Sequence, residues 1–128
     1  MVMRTGWTAL VLVALLGGLA TAAEWDILGS RVVNFRAERD TINVSKNETY
    51  RKIKLQVKGN GIRFYDLKIH FENGGVQDVP LRAHINKGGE TRAIDLEGGK
   101  RRLEKIVFRY ETRGRANRRA TVILKARN

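Results

Sequence analysis

Basic side chains dominate the stretch between Lys100 and Arg119, which follows a pair of glycines. Only Glu104 and Glu111 oppose the nine basic residues of this stretch. The planar guanidinium of arginine suits phosphate and carboxylate groups, and a glycine turn presents backbone amides that also bind anions. The stretch therefore predicts an anion-binding site, with a solvated basic face as the alternative. The candidate residues are Lys100, Arg101, Arg102, Lys105, Arg109, Arg113 and Arg115.

Residues suited to catalysis are few. The sequence has no cysteine, and its two serines, Ser30 and Ser45, lie outside any recognisable nucleophile motif. Its two histidines, His70 and His84, lack the His-x-His or Glu-x-x-His spacing of a zinc site. No acidic residue stands in the apolar sequence context that a general acid requires. We therefore predict no catalytic residue, no metal site and no cofactor, and a protein that is not an enzyme.

The first 23 residues have the pattern of a signal peptide. Arg4 supplies a positive charge, residues 8–19 are almost all apolar or small, and the segment ends in Ala-Thr-Ala-Ala. The apolar run is shorter than the ~20 residues that span a bilayer, which makes an uncleaved membrane anchor the weaker alternative. We expect cleavage after Ala22 or Ala23 and export to the periplasm or the cell exterior. Residues 24–128 would then form a single domain.

Net charge narrows the choice of partner. The chain carries 25 Lys and Arg against 13 Asp and Glu, a formal charge of +12. In an exported protein this charge favours anionic lipid or polysaccharide of the envelope, although charge also serves solubility. The alternative function is a structural module that binds an envelope protein. Specific nucleic-acid binding is not predicted, because the only aromatics of the basic stretch, Phe108 and Tyr110, are expected in the core.

The basic stretch has to be positioned by a strand or a helix, and its periodicity fits both. Ile106, Phe108 and Tyr110 alternate as in a strand, whereas Leu103, Ile106, Val107 and Tyr110 have helical spacing. Composition and length favour the strand, because the run is β-branched and aromatic and is bounded by glycines at 98, 99 and 114.

Other segments read as short strands separated by glycine turns. Residues 50–58 alternate, with lysines on one face and Ile53, Leu55 and Val57 on the other. The apolar face of residues 62–71 changes register, which predicts a bulge near Phe64 and Tyr65. Residues 76–81 contain the single proline, which predicts an edge strand because proline cannot donate to a ladder.

The remaining predicted strands are residues 31–36, 40–44, 90–96 and 120–126, and residues 85–89 are expected to form a loop. About eight short strands without a convincing amphipathic helix predict an all-β, antiparallel β-sandwich of the jelly-roll or immunoglobulin type. The predicted core comprises Phe35, Ile53, Leu55, Val57, Leu67, Ile69, Phe71, Ile94, Leu96, Ile106, Phe108, Tyr110, Val122 and Leu124.

Short matches spread along the chain resemble a family of small exported bacterial proteins of unknown function. The matching runs are Leu28-Gly29, Arg51-Lys52-Ile53-Lys54-Leu55, Ile69-His70-Phe71, Gly88-Gly89-Glu90-Thr91-Arg92, Ile94-Asp95-Leu96, Ile106-Val107-Phe108 and Ala120-Thr121-Val122. The resemblance implies a periplasmic β-rich domain without an assigned activity, and it supplies no catalytic residue. Members of that family can carry a cysteine pair, which this sequence lacks.

Overall fold

The computed structural model describes residues 24–34, 38–112 and 119–128, and in this part of the chain there are ten strands and no helix. The strands are β1 (Asp26–Asn34), β2 (Arg39–Asn43), β3 (Thr49–Tyr50), β4 (Lys52–Lys58), β5 (Ile62–Phe71), β6 (Val76–Val79), β7 (Ala83–Ile85), β8 (Ile94–Asp95), β9 (Arg101–Thr112) and β10 (Arg119–Arg127). Within the described ranges no helix is long and apolar enough to cross a membrane.

The strands form two antiparallel sheets that enclose one hydrophobic core. The six-stranded sheet has the order β2–β9–β5–β6, with β3 also paired to β9 and β7 to β5. The four-stranded sheet has the order β1–β10–β4–β8. The predicted antiparallel β-sandwich is thus confirmed. Every predicted core residue within the described ranges is buried, while Phe35 lies outside them.

Strand β9 organises the six-stranded sheet, because it pairs with β2 and β3 on one side and with β5 on the other. Its register shifts between Leu103 and Lys105, so that Glu104 is an extra residue. The bulge turns both Leu103 and Ile106 into the core. The helical spacing seen in the sequence therefore arises from a bulge in a strand.

A second bulge confirms the predicted change of register in β5. Arg109 of β9 lies opposite Asp66 and Tyr110 opposite Phe64, so Tyr65 is the extra residue. Phe64 is fully buried, whereas Tyr65 is exposed and Asp66 half-buried. The bulge thereby places an aromatic ring and a carboxylate side by side on the outer face of the sheet.

Side chains join the two sheets along the sides of the sandwich. The buried Gln77 of edge strand β6 donates to the carbonyl of Asp95 at 3.0 Å and accepts from the amide of Glu97 at 2.8 Å. On the other side, the Ser45 amide and hydroxyl both donate to the Leu28 carbonyl. A Cβ at Gly29 would lie 2.8 Å from backbone of β2, so glycine permits this close approach.

The structure also differs from the predicted strands. The predicted strand 90–96 is mostly irregular, because the Thr91 hydroxyl, instead of a backbone carbonyl, accepts from the amide of Leu55. Only Ile94–Asp95 joins a ladder there, and Glu90 forms an isolated bridge. Strand β1 begins five residues before the predicted start at residue 31. The short strand Ala83–Ile85 was not predicted, because three residues carry too little alternation to be recognised.

Candidate anion-binding site on the six-stranded sheet

The structure divides the predicted anion-binding residues between two regions. Lys100, Arg101 and Arg102 lie at the start of β9, whereas Lys105 and Arg109 lie on its outer face. At about 3.3 Å per residue, Arg102 and Arg109 are roughly 20 Å apart along the strand. Arg113 and Arg115 lie outside the described residues. The predicted set therefore does not form one compact site within the described ranges.

The first region is the turn cleft, a shallow depression of about 440 Å³ beside the glycine turn. It is lined by Thr49, Phe71, Glu72, Asn73, Lys100, Arg101 and Arg102. Gly98 and Gly99 both have a φ near +85°, a conformation that favours glycine. The Gly99 amide donates to the Leu96 carbonyl at 3.3 Å, so the turn itself uses this amide.

The two arginines of the turn cleft are bound to neighbouring loops of the same protein. The Arg101 guanidinium donates to the Glu97 carbonyl at 2.7 Å and to Asn73 Oδ1 at 3.2 Å, and it stacks 3.7 Å from the Phe71 ring centroid. Arg102 Nη1 donates to both the carbonyl and the side-chain oxygen of Asn47. These contacts hold three loops together and occupy donors that an anion would need.

The second region is the arginine pocket, a cavity of about 400 Å³ near the far end of β9. It is lined by Arg63, Phe64, Tyr65, Asp66, Pro80, Arg82 and Arg109. Three parts of the fold supply these residues: the bulge of β5, the outer face of β9 and the connection after β6. Arg63 and Arg82 make no side-chain hydrogen bond or ion pair with any other described residue.

One ion pair lies at the inner edge of the arginine pocket. Arg109 Nη2 is 2.8 Å and Nε 2.9 Å from Asp66 Oδ2. The hydrogen bond from Arg109 to Asp66 raises the pKa of Arg109, so the guanidinium stays charged. The same guanidinium lies 5.8 Å from the Tyr65 ring centroid, and the Tyr65 hydroxyl donates to Glu111. These contacts orient Arg109 and the tyrosine ring.

A second cavity adjoins the arginine pocket on the outer face. We call this cavity of about 280 Å³ the outer groove; it is lined by Arg39, Asp66, Lys68, His70, Val107 and Arg109. Asp66 and Arg109 line both cavities and form the wall between them. Arg39 lies directly opposite Arg109 in the register of β2 and β9. Like charges placed opposite each other destabilise a sheet, so this arrangement favours a bound anion.

The backbone of Arg82 is in the left-handed region, with φ of +42°. It is the only non-glycine residue in the described ranges with a positive φ. This conformation costs about 1–2 kcal/mol for a residue with a Cβ, and asparagine or glycine tolerates it better. The Arg82 amide donates to the Tyr65 carbonyl at 3.1 Å, which fixes the connection against the bulge.

Sequence reasoning missed Arg39, Arg63, Tyr65, Asp66 and Arg82 as a group. They come from three separate segments of the chain and become neighbours only through the pairing of β2, β9 and β5. The bulge predicted near Tyr65 was the available signal, because bulges often lie next to functional sites and redirect side chains. Counting charges along the sequence misses basic residues that lie on different strands and become neighbours only when those strands pair.

Comparison with solved structures supports the fold. Pseudomonas aeruginosa AlgX aligns with a TM-score of 0.50 and 10% identity over 80% of this chain. The chain spans 27% of the AlgX chain, and at this identity the likeness shows the fold alone. The Drosophila NLP core, whose structure concerns pentamer formation and histone binding, aligns with a TM-score of 0.35 and 14% identity, over 80% of this chain and 100% of its own.

Sequence comparison places the chain in a family. No curated protein matches the sequence. A family model described as a domain of unknown function, DUF2541, matches residues 8–126. This match covers nearly the whole chain, and the protein therefore belongs to the DUF2541 family.

Proposed function

We propose that this protein is an exported, non-enzymatic domain that binds anionic components of the cell envelope on the outer face of its six-stranded sheet. One observation carries the proposal: four arginines, Arg39, Arg63, Arg82 and Arg109, line two adjoining cavities that share one lining carboxylate, that of Asp66. The apolar, small-residue pattern of the first 23 residues supports export.

The excess positive charge makes this face a better anion site than the rest of the described surface. Three lysines of the four-stranded sheet are paired with acids, namely Lys54 and Lys125 with Glu90 and Lys52 with Asp95. The outer face of the six-stranded sheet leaves more guanidinium groups without a carboxylate. Concave walls of low dielectric concentrate the resulting field, and arginine forks match carboxylate and phosphate oxygens.

The shape of the site favours a polymer with repeated charges. The arginine pocket and the outer groove lie side by side and share the wall formed by Asp66 and Arg109. Together they cross β5, β9 and β2, so neighbouring anionic groups of one chain could each contact a different arginine. Binding at two linked subsites raises the overall affinity without requiring a strong single contact.

The test compares two triple variants that remove equal charge. One variant is Arg39→Gln/Arg63→Gln/Arg82→Asn on the proposed site. The control is Lys58→Gln/Lys87→Gln/Arg92→Gln, whose exposed side chains lack ion pairs with described residues. Binding of polygalacturonate, neutral dextran and phosphatidylglycerol vesicles would be measured by titration at low and physiological salt.

We expect the site variant to lose about tenfold or more of its affinity for the polyanion, and the control only a few-fold, because three fork contacts are lost in one and diffuse charge in the other. Preference for polygalacturonate or for the vesicles identifies the source of the anion. Equal losses in the two variants, or no binding at low salt, would overturn the proposal.

A second function, binding to an envelope protein, is supported by one observation. Ile27 and Val32 of edge strand β1 are each 58% exposed, and they lie on the outer face of the four-stranded sheet. Exposed aliphatic groups of this kind are common in protein interfaces and tolerate salt. Capture of a protein from envelope extract that persists at high salt and is lost in Ile27→Ser/Val32→Ser would favour this function.

A further inference from the structure

The arginine pocket has an aromatic residue and a proline in its lining, whereas the outer groove has neither. Tyr65 and Pro80 give the arginine pocket an apolar wall beside its arginines and next to the buried Phe64. A bare phosphate ion would contact the guanidinium groups but leave these walls uncovered. A ligand that fills the pocket therefore needs both an anionic group and an apolar face.

Asp66 adds a third requirement. Both short contacts from Arg109 reach its Oδ2 atom, while Oδ1 has no partner among the described residues. A carboxylate oxygen inside an anion site repels a second anion and accepts hydrogen bonds from hydroxyl groups. The pocket thus presents arginines for an anionic group, an acceptor for a hydroxyl and a flat wall for a ring.

The backbone of Arg82 points to the same site. Its positive φ is a conformation in which asparagine or glycine is favoured, yet the residue is an arginine whose side chain lines the pocket. Strained residues of this kind occur at ligand-binding sites, where the surrounding structure maintains them. Its guanidinium has no partner in the described ranges and is available to an incoming anion.

From these three features we infer that the arginine pocket binds a single anionic sugar ring. Arg63 and Arg82 hold its carboxylate or phosphate, Asp66 Oδ1 accepts a ring hydroxyl, and the C–H face of the ring packs on Tyr65. This inference rests on the proposed function, since the sugar would be one unit of the anionic polymer, and it adds the chemical class recognised at one end of the site.

The experiment uses four monomeric probes on the mature domain: glucuronate, glucose 6-phosphate, glucose and inorganic phosphate. Binding is followed by calorimetry and by chemical-shift changes of the Tyr65 ring. We expect the better of the two charged sugars to bind at least about tenfold more tightly than glucose or phosphate, because only charged sugars meet all three requirements. Which charged sugar binds better distinguishes carboxylate from phosphate.

Two variants test the roles of the residues. Arg82→Asn keeps a residue that tolerates the left-handed backbone, so the midpoint of unfolding should not fall while binding of the charged sugar is lost. Tyr65→Ala should weaken the charged sugar and leave inorganic phosphate unchanged. Arg82→Asn that folds normally and still binds the charged sugar as well as wild type would overturn the inference.

The inference and the proposed function fail in different ways. If wild type binds polygalacturonate or anionic vesicles but shows no preference for charged sugars over phosphate, the sugar pocket is refuted and the polyanion face stands. If wild type binds neither polymer, vesicles nor monomer at low salt, both are refuted. Binding of a charged sugar that Arg82→Asn abolishes supports both.

Discussion

The two ends of strand β9 carry similar charge and use it differently. At the turn cleft, Arg101 and Arg102 donate to carbonyl and amide oxygens of neighbouring loops. At the arginine pocket, Arg63 and Arg82 line a cavity and have no side-chain partner in the described part of the chain. Charge density in the sequence is highest at the first end, but donors available to a ligand are concentrated at the second.

The difference shows how a basic residue can serve either the fold or a ligand. An arginine bonded to a main-chain carbonyl stabilises a loop, and its remaining donors face water. An arginine that lines a cavity without a partner among the described residues, as Arg63 and Arg82 do, keeps its donors available. Arginine content alone therefore does not identify a binding site, whereas the partner of each guanidinium does.

Both ends depend on the same strand, and the largest effect is expected where β9 enters the core. Phe108 is fully buried, with ring centroids 5.9 Å from Phe64 and 5.3 Å from Tyr110. Phe108→Ala should lower the free energy of unfolding by about 3–5 kcal/mol through lost burial and a cavity. Chemical denaturation measures this loss, and a change below about 1 kcal/mol would contradict the described packing.

A smaller loss of stability should distinguish the arginines at the two ends of β9. Arg101→Ala removes two hydrogen bonds and the stacking on Phe71, and should cost about 1–2 kcal/mol of stability. Arg63→Ala removes no described partner, so its stability should stay within about 0.5 kcal/mol of wild type. Both variants can be compared by urea denaturation. Equal losses would remove the distinction between structural and ligand-binding arginines.

Each end also has a tyrosine that donates to an aspartate, and these pairs predict alkaline behaviour. Tyr110 donates to Asp40, which also pairs with Arg31, and Tyr50 donates to Asp26. Burial, followed by the hydrogen bond to aspartate, raises the pKa of both phenols. A raised folded-state pKa means that this stability is complete below the unfolded value of about 10 and is lost above it.

Stability of the wild type should therefore fall above about pH 10, by up to about 1.4 kcal/mol per pH unit for each tyrosine. Tyr110→Phe should cost about 1 kcal/mol at neutral pH, because it leaves Asp40 short of a donor, and should flatten the alkaline decline. Denaturation midpoints between pH 8 and about 11 give both values. An unchanged alkaline slope in Tyr110→Phe would argue against the raised phenol pKa.

The smallest effect is expected on the paired face of the four-stranded sheet. The hydrogen bond from Lys54 is the main cause that lowers the pKa of Glu90, and Lys125 adds to it. A lowered folded-state pKa means that the stabilisation is present above the unfolded value of about 4.3 and is lost as the pH falls further. Because the carboxylate is one-third exposed, solvent limits the contribution to less than about 1 kcal/mol.

Glu90→Gln should therefore match the wild type in strong acid and be slightly less stable near neutral pH. Thermal unfolding of both proteins between pH 3 and about 7 measures the difference. If the stability difference between wild type and Glu90→Gln increased as the pH falls, the stabilising ion pairs of Glu90 with Lys54 and Lys125 would be refuted.

Alternation of apolar residues was enough to predict most of the fold. The spacing of Ile53, Leu55 and Val57 identified a half-buried strand, and the shift of the apolar face identified the bulge at Tyr65. A strand whose one face is buried fixes its own register, so these features are local. The prediction of a strand over residues 90–96 was wrong for most of its length. The Thr91 side chain there replaces a backbone contact of the ladder with its own hydrogen bond, which the alternation of apolar residues cannot show.

The site was less predictable, because it depends on which strands are neighbours. Nothing local in the sequence places Arg39 opposite Arg109, or brings Arg82 beside Arg63. Nor does spacing show that Arg101 reaches the Glu97 carbonyl. Long-range pairing decides both contacts, so the sequence predicts a basic surface but does not show which arginines line the arginine pocket.

We propose that anions bind where guanidinium groups lack partners among the described residues. The most direct measurement compares Arg63→Gln/Arg82→Asn with Arg101→Gln/Arg102→Gln, which remove equal charge from the two ends of β9. Affinity for polygalacturonate would be determined at low salt, with folding checked for both. We predict a loss of about tenfold or more in the first variant and at most about threefold in the second. A larger loss in the second variant would refute binding at the arginine pocket and place the anion site at the turn cleft.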